Sequence, residues 1–452
     1  MNSTKAIRKV LAAAAVLVAS LAMSSCDEKD LNIGIDPKEE GIQYIYPGNR
    51  QPMEETRRVL LFYECGFNSL SDYLTKNMEE ELPEGYIPTA GRNDDVILVF
   101  SKIALNLNYK DVPSYLRRIY KDPEGEVVSD TLMTYPSSVV ASSGETMRDV
   151  LSYVKSAFPA KGYGMVYSSH GSGWLPTGYY SNPNLFELTH RSGSRGRMSS
   201  ARRLLGVPEG SMESDDPYAG MVRSIGQDKM SYGDKEMTVS EFASGIPFRL
   251  DYLLFDMCFS GGVEVAYGLK DKADYLGVSP AEVLAAGTYD YTKITEFLLK
   301  GATPDLTGLF RNSFDMYNKQ SGEYRSSTLT LIRTDGLDNL GAVCRQIISN
   351  HTAELANAPA SEIQGFYRMN RHYFYDLEDI FAKSGIPESE MQALRNAIDA
   401  CVVYKAATPS FLGDFTIDTY SGMSMYLPCA GTSLLDSYYT DEPWNAASEL
   451  VK

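Results

Sequence analysis

Two reactive residues occupy comparable settings in this sequence. One is the histidine of Ser168-Ser169-His170-Gly171-Ser172-Gly173, the other the cysteine of Asp256-Met257-Cys258-Phe259-Ser260-Gly261-Gly262. A thiol becomes an effective nucleophile when an imidazole raises its thiolate fraction, and the same imidazole can protonate a leaving amine. Distance along the chain is no obstacle, because catalytic Cys and His commonly meet only in space. Glycines beside each residue let backbone approach a substrate and free amides to face an oxyanion. The remaining histidines, His190, His351 and His372, lack such surroundings. Cys65 is a rival nucleophile, since it also follows an apolar run, but only Gly66 offers a glycine beside it. The duller reading of each residue is a buried apolar cysteine and a satisfied or surface histidine. There is no CxxC or HExxH pair, so no metal site is expected.

The elements that must position these residues are short apolar runs. Val59-Leu60-Leu61-Phe62-Tyr63, Val96-Ile97-Leu98-Val99-Phe100, Gly164 to Ser169 and Leu250 to Phe255 each predict a buried strand. Leu70 to Leu82 and Glu145 to Phe158 carry helical spacing between them. Helices alternating with fully apolar strands predict an α/β fold with a mostly parallel sheet covered on both faces. In such a sheet ligands sit beyond the carboxyl ends of the strands, where His170 and Cys258 both fall. Residues 174–232 are rich in Gly, Ser and Pro and predict a long insertion containing Arg191, Arg195, Arg197, Arg202 and Arg203. After Tyr291 the pattern is helical again through Phe310, Leu340 and Leu377, and residues 421–428 predict one more strand.

The first residues are not part of this fold. Lys5, Arg8 and Lys9 precede an apolar, alanine-rich stretch from Val10 to Met23, which reads as a secretory signal over residues 1–25. Leu21-Ala22-Met23-Ser24-Ser25-Cys26 resembles a bacterial lipoprotein cleavage site, making Cys26 the lipidated terminus and the membrane a partner through acyl chains. Asp27, Glu28 and Asp30 resemble an export signal to the outer face of the outer membrane. Residues 26–55 read as a tether. Losing the three signal-peptide cations takes the formal charge from −17 to −20, which argues against nucleic acid as a partner. Besides Cys26 there are five cysteines, an odd number, so a thiol enzyme fits better than a disulfide scaffold.

Tyr167-Ser168-Ser169-His170-Gly171-Ser172-Gly173-Trp174 resembles the histidine motif of the clostripain family of cysteine peptidases. Leu253-Leu254-Phe255-Asp256-Met257-Cys258, continuing through Gly262 to Leu269, resembles its nucleophile motif and following helix. Further matches run in order through Ser224 to Asp228, Glu241-Phe242, Ala273 to Leu276, Tyr375-Asp376-Leu377 and Met423 to Pro428. The resemblance implies a caspase-like core over residues 56–300, with residues 301–452 as a C-terminal helical and strand extension packed on it. It implies a Cys258–His170 dyad, an oxyanion site from the amides of Gly171 and Cys258, and cleavage of polypeptides after Arg or Lys. Asp256 is then either the group that binds a basic P1 side chain or a cap on the following helix. The family's self-activation makes the bonds after the five insertion arginines candidate processing sites. No cofactor is implied for the chemistry; calcium is allowed by the resemblance in a non-catalytic role. Met257, Phe259-Ser260-Gly261 and Ser279-Pro280-Ala281-Glu282 depart from the family pattern. The competing reading is a non-catalytic surface lipoprotein that uses the same fold to bind a polypeptide or an envelope partner.

Overall fold

The computed structural model describes residues 55–89, 95–104, 112–177, 224–367 and 373–452. The expected signal, Cys26, His190, His372 and the five insertion arginines lie outside the described residues. Twelve strands concern the site: β1 (Thr56–Gly66), β2 (Asp95–Ile103), β3 (Ser114–Lys121), β4 (Val127–Tyr135), β5 (Ala160–Ser168), β6 (Ile225–Met230), β7 (Gly233–Met237), β8 (Leu250–Asp256), β9 (Ala273–Val278), β10 (Thr328–Arg333), β11 (Tyr375–Asp376) and β12 (Val402–Ala407). Nine of them form one sheet in the order β12-β10-β9-β8-β5-β1-β2-β3-β4. The five central strands, β9 to β2, run parallel, while β10 and β12 at one edge and β3 and β4 at the other are antiparallel additions. The expected α/β architecture is present, and its four predicted strands are β1, β2, β5 and β8.

Register decides which side chains share a face. Phe62, Val99, Val166 and Leu254 are mutual neighbours across β1, β2, β5 and β8. With Leu60, Ile97 and Tyr252 they pack into one core against Met78, Leu82, Tyr289, Leu298 and Phe310 from the covering segments. Burying each such side chain stabilises the fold by roughly 1.5–3 kcal/mol. The alternate residues face the other way. There Tyr167 stacks on Tyr63 at 5.7 Å and meets Phe242 of the helix Val239–Gly245 edge-on at 4.8 Å. That helix starts with a capping box between Thr238 and Glu241, which satisfies two of its orphan amides. Ser143 likewise caps the helix Gly144–Ala157 that leads into β5.

One sequence expectation needs correction and one gains detail. The last residues of the expected insertion enter an antiparallel hairpin outside the main sheet, β6 and β7 over Ile225–Met237, with positive φ at Gly226 and Gly233. Residues 421–428 do not form a full strand; only Ser424–Met425 pairs, with β11. Gly422 at φ 100° and the 3₁₀ turn at Pro428–Ala430 bound the segment on either side.

The C-terminal part is joined to the core, since β10 and β12 belong to the main sheet. Its last turns close over Glu264, on the helix Val263–Gly268 that follows Cys258. Glu264 Oε1 accepts from the Tyr426 amide at 2.8 Å and from the Tyr439 hydroxyl at 2.7 Å. Burial pushes the Glu264 carboxyl up to about 7, against the pull of those two bonds. Glu442 beside it is pushed up to about 8, by burial first and by Glu264 second. Both folded values exceed the ordinary carboxyl value, so the folded state holds more protons than the unfolded state. Stability contributed by these groups therefore falls as pH rises from about 4.5 through about 7 to 8, then levels off. Glu264→Gln keeps an acceptor for Tyr426 and Tyr439 without the charge. Thermal melts from about pH 5 to pH 9 should show a falling midpoint for wild type and a flatter, higher one at alkaline pH for the variant.

Candidate active site

The register that builds the core also aligns the two reactive residues. β5 and β8 are parallel neighbours with Ser168 opposite Asp256, and the Ser169 amide donates to the Asp256 carbonyl at 3.3 Å. His170 and Cys258 each follow their strand partner by two residues, so the two chains leave the sheet side by side. Within the strands, alternation puts Ser168 and Asp256 on the side of Val166 and Leu254, the face of the main core, and His170 and Cys258 lie in the loops just beyond them.

Each loop is held by its neighbours. His170 is 2% exposed, and its Nε2 lies 2.8 Å from the Ser69 hydroxyl, with donor and acceptor set by the tautomer. Ser69 follows β1, the strand on the far side of β5, and sequence reasoning missed it. The signal was present: β1 carries an apolar run parallel to β5, so its C-terminal loop must reach the same edge. Ser169 Oγ donates to the Cys65 carbonyl at 2.8 Å, and the Asn68 amide nitrogen donates to the carbonyls of Cys65 and Gln227, each at 2.8 Å. Ser224 to Gly226 then cross the histidine loop antiparallel, with Ser172 N donating to Ser224 O and Gly226 N to His170 O. These bonds flank Gly171, whose own amide takes no part in that pairing.

The cysteine loop rests on residues 279–288. Phe259 N donates to Ala281 O at 2.9 Å and Gly261 N to Ser279 O at 2.8 Å. Val283 brackets Cys258 Sγ, its amide donating to the sulfur from 3.3 Å and its carbonyl accepting from the thiol at 3.7 Å. Phe259 has φ 54°, a left-handed conformation that costs a bulky residue energy and persists only where packing enforces it. Its ring stacks on Phe374 at 4.5 Å. The two loops also interlock. A Cβ on Gly171 would meet Met257 Cγ at 2.3 Å, and one on Gly173 would meet the Phe259 carbonyl oxygen at 2.5 Å. The departures from the family pattern at Met257 and Phe259 are thus packing partners of the histidine loop.

Asp256 lies 6% exposed below Cys258. Its carboxylate accepts from Thr288 N at 2.5 Å and from Tyr291 OH at 2.7 Å. Burial pushes its carboxyl up, and the Tyr291 and Thr288 bonds pull it back. It does not cap the following helix, which starts at Val263 with Gly262 at its N-cap.

Cys65 is corrected as a rival. It stands on the opposite face of β1, fully buried, with Tyr167 OH donating to its sulfur at 3.3 Å. Burial first, then the Asp228 carboxylate, pushes its thiol well above the ordinary range. A raised value leaves less thiolate at neutral pH, and together with full burial this argues against Cys65 as the nucleophile. Cys344 and Cys401 are buried and shifted upward in the same way. Iodoacetamide at neutral pH should therefore leave Cys65, Cys344 and Cys401 unlabelled in the folded protein; peptide mapping by mass spectrometry reads this directly. Labelling of Cys65 ahead of Cys258 would contradict the assignment of faces.

The sequence matches the clostripain family over residues 62–185 and 208–442. Comparison with curated proteins gives no match. Among solved structures, an inactive zymogen C11 protease from Parabacteroides distasonis is 25% identical, covering 88% of this chain and 99% of its own, with a TM-score of 0.66. A secreted C11 cysteine protease from Bacteroides thetaiotaomicron, solved with an irreversible peptide inhibitor, is 23% identical over 87% of this chain and 99% of its own. Its TM-score of 0.67 shows the same fold. The chain belongs to the clostripain family and is a cysteine peptidase.

Proposed function

We propose that Cys258 is the nucleophile and His170 the general acid–base of an endopeptidase that cleaves polypeptides after Arg or Lys. The observation that carries this reading is the parallel pairing of β5 with β8, whose ends lie side by side two residues before His170 and Cys258. His170 takes the proton of the Cys258 thiol, the thiolate attacks the scissile carbonyl, and the imidazolium returns the proton to the departing amine. Water then hydrolyses the thioester with His170 as base. The amides of Gly171 and Cys258 hold the oxyanion of the tetrahedral intermediate. Support for Gly171 comes from its amide lying outside the pairing with Ile225. Asp256, two residues before the thiol, is the acid that receives a basic P1 side chain. The chemistry requires no cofactor, and calcium, if bound, acts outside it.

Activation and location complete the reading. Self-cleavage after one of Arg191, Arg195, Arg197, Arg202 or Arg203 activates the chain; that the Parabacteroides distasonis relative exists as an inactive zymogen supports an activation step. Ser224 to Gly226 lie against the histidine loop, so the segment that carries these bonds leads directly into the site. Cys26 is the lipid-anchored residue that holds the enzyme at the outer membrane, and its substrates are polypeptides met there.

The test is a peptide library offered to wild type and to Cys258→Ala. Wild type should cut after Arg or Lys, and the variant should lose about 10⁴-fold or more in kcat/KM with an unchanged melting temperature. Retained cleavage by the variant would sink the assignment. On a denaturing gel, purified wild type should run as two fragments and Cys258→Ala as one. A single wild-type band would rule out self-cleavage.

A further inference from the structure

The register beneath the reactive residues carries a second acid. Glu64 on β1 pairs with Ser168 on β5, and Ser168 pairs with Asp256 on β8. The three side chains therefore stand in one row on one face of the sheet, one level below His170 and Cys258. Tyr291 ties the row together, its hydroxyl lying 3.2 Å from Ser168 Oγ and 2.7 Å from Asp256 Oδ2. Glu64 is 1% exposed, and its Oε1 is fully buried with no hydrogen-bond partner among the described residues. Asn77 Nδ2 is likewise buried without a partner. Asn77 Nδ2 and Asp256 Oδ2 converge on Gly287, where a Cβ would meet them at 3.3 and 2.8 Å.

A buried carboxylate oxygen with nothing to accept from is costly unless a ligand completes it. The cation that acts on it among the described residues, Arg117 on β3, is already bound to Glu79. Burial pushes the Glu64 carboxyl well up; Arg117 opposes this, while Glu79 and Asp256 add to it. Two acids under a peptidase site, one of them unsatisfied, ask for a cation from outside the protein.

We propose that Glu64 is a specificity-determining residue, and that with Asp256 it forms a two-acid floor that selects a P1 guanidinium over a P1 ammonium. This rests on the basic-P1 reading of the same site. The row lies two strand residues below the thiol, about 6–7 Å, so a long side chain reaches it and a short one does not. The carboxylates come from strands two spacings apart, about 9–10 Å between Cα atoms. A planar guanidinium with five donors spans both, whereas an ammonium is a point charge that serves one. Beside a guanidinium, which favours its ionised form against the upward push of burial, Asp256 retains acceptor capacity beyond its bonds to Thr288 and Tyr291, because an ionised carboxylate offers about four lone-pair sites.

The experiment uses the active full chain and two peptide substrates identical except for Arg or Lys at P1. Active enzyme is counted with an irreversible peptide inhibitor. Wild type should prefer Arg. Glu64→Gln should lower kcat/KM for the Arg substrate by about 10- to 100-fold, mainly through KM. The Lys substrate should change by no more than about threefold, so the preference collapses. Glu64→Met, which keeps the volume without the charge, is the second variant and should collapse it too. If Glu64 is merely a buried structural acid, both variants keep the wild-type Arg-to-Lys ratio, and that result overturns the proposal. A wild-type ratio near one overturns it as well. Wild type that cuts only after non-basic residues overturns the basic-P1 reading itself, an outcome distinct from an unchanged ratio.

Discussion

Everything at the candidate site depends on one pairing, β5 beside β8 in parallel with Ser168 opposite Asp256. Strand side chains alternate, so a slip of one residue would turn a whole strand's core side chains to the other face. The pairing is protected by what lies on the two faces. Val166 and Leu254 are locked into the main core, while Tyr167 and Phe255 meet edge-on at 6.0 Å on the other side. The burial that stabilises the fold thus also sets the chemistry, because His170 and Cys258 inherit their relation from the strands below them.

The polar residues at the strand ends sit against this apolar frame. Glu64, Asp256, Glu264 and Asp228 are all buried carboxyls, and burial pushes every one of them up. Three are met by donors: Thr288 and Tyr291 for Asp256, Tyr426 and Tyr439 for Glu264, and the amides of Ala141 and Ser142 for Asp228. Each of those joins segments distant in sequence around the catalytic edge. Glu64 Oε1, Glu264 Oε2 and Asp228 Oδ1 are each buried without a partner among the described residues, and of the three only Glu64 stands in the row with Asp256. The left-handed Phe259 next to Cys258 is a further departure from relaxed geometry, held by its stacking on Phe374.

Much of this was legible in the sequence, for physical reasons. Parallel strands buried on both faces appear as unbroken apolar runs, so β1, β2, β5 and β8 and the strand-end positions of His170 and Cys258 could be read directly. β3 and β4 were not seen, because their half-exposed residues, among them Arg117, Arg118 and Asp130, break the apolar pattern. β9 was missed as a strand because Asp274 and Gly277 interrupt it. Cys65 looked like a rival only because sequence does not say which face of β1 it occupies. Ser69 and Glu64 were missed for a related reason, since their roles follow from register between strands far apart in the chain. The charge of Glu64 alone marks it as unusual within an apolar run, and that signal was available.

The central claim is that the side-by-side strand ends make Cys258 the reacting thiol. Its most direct measurement is the site of covalent attachment of an irreversible peptide inhibitor with Arg at P1, located by crystallography of the adduct. The account predicts a single bond to Cys258 Sγ, with the inhibitor's P1 head group over Asp256 and Glu64. A bond to Cys65 or another cysteine, or a P1 side chain directed away from that row, would contradict it.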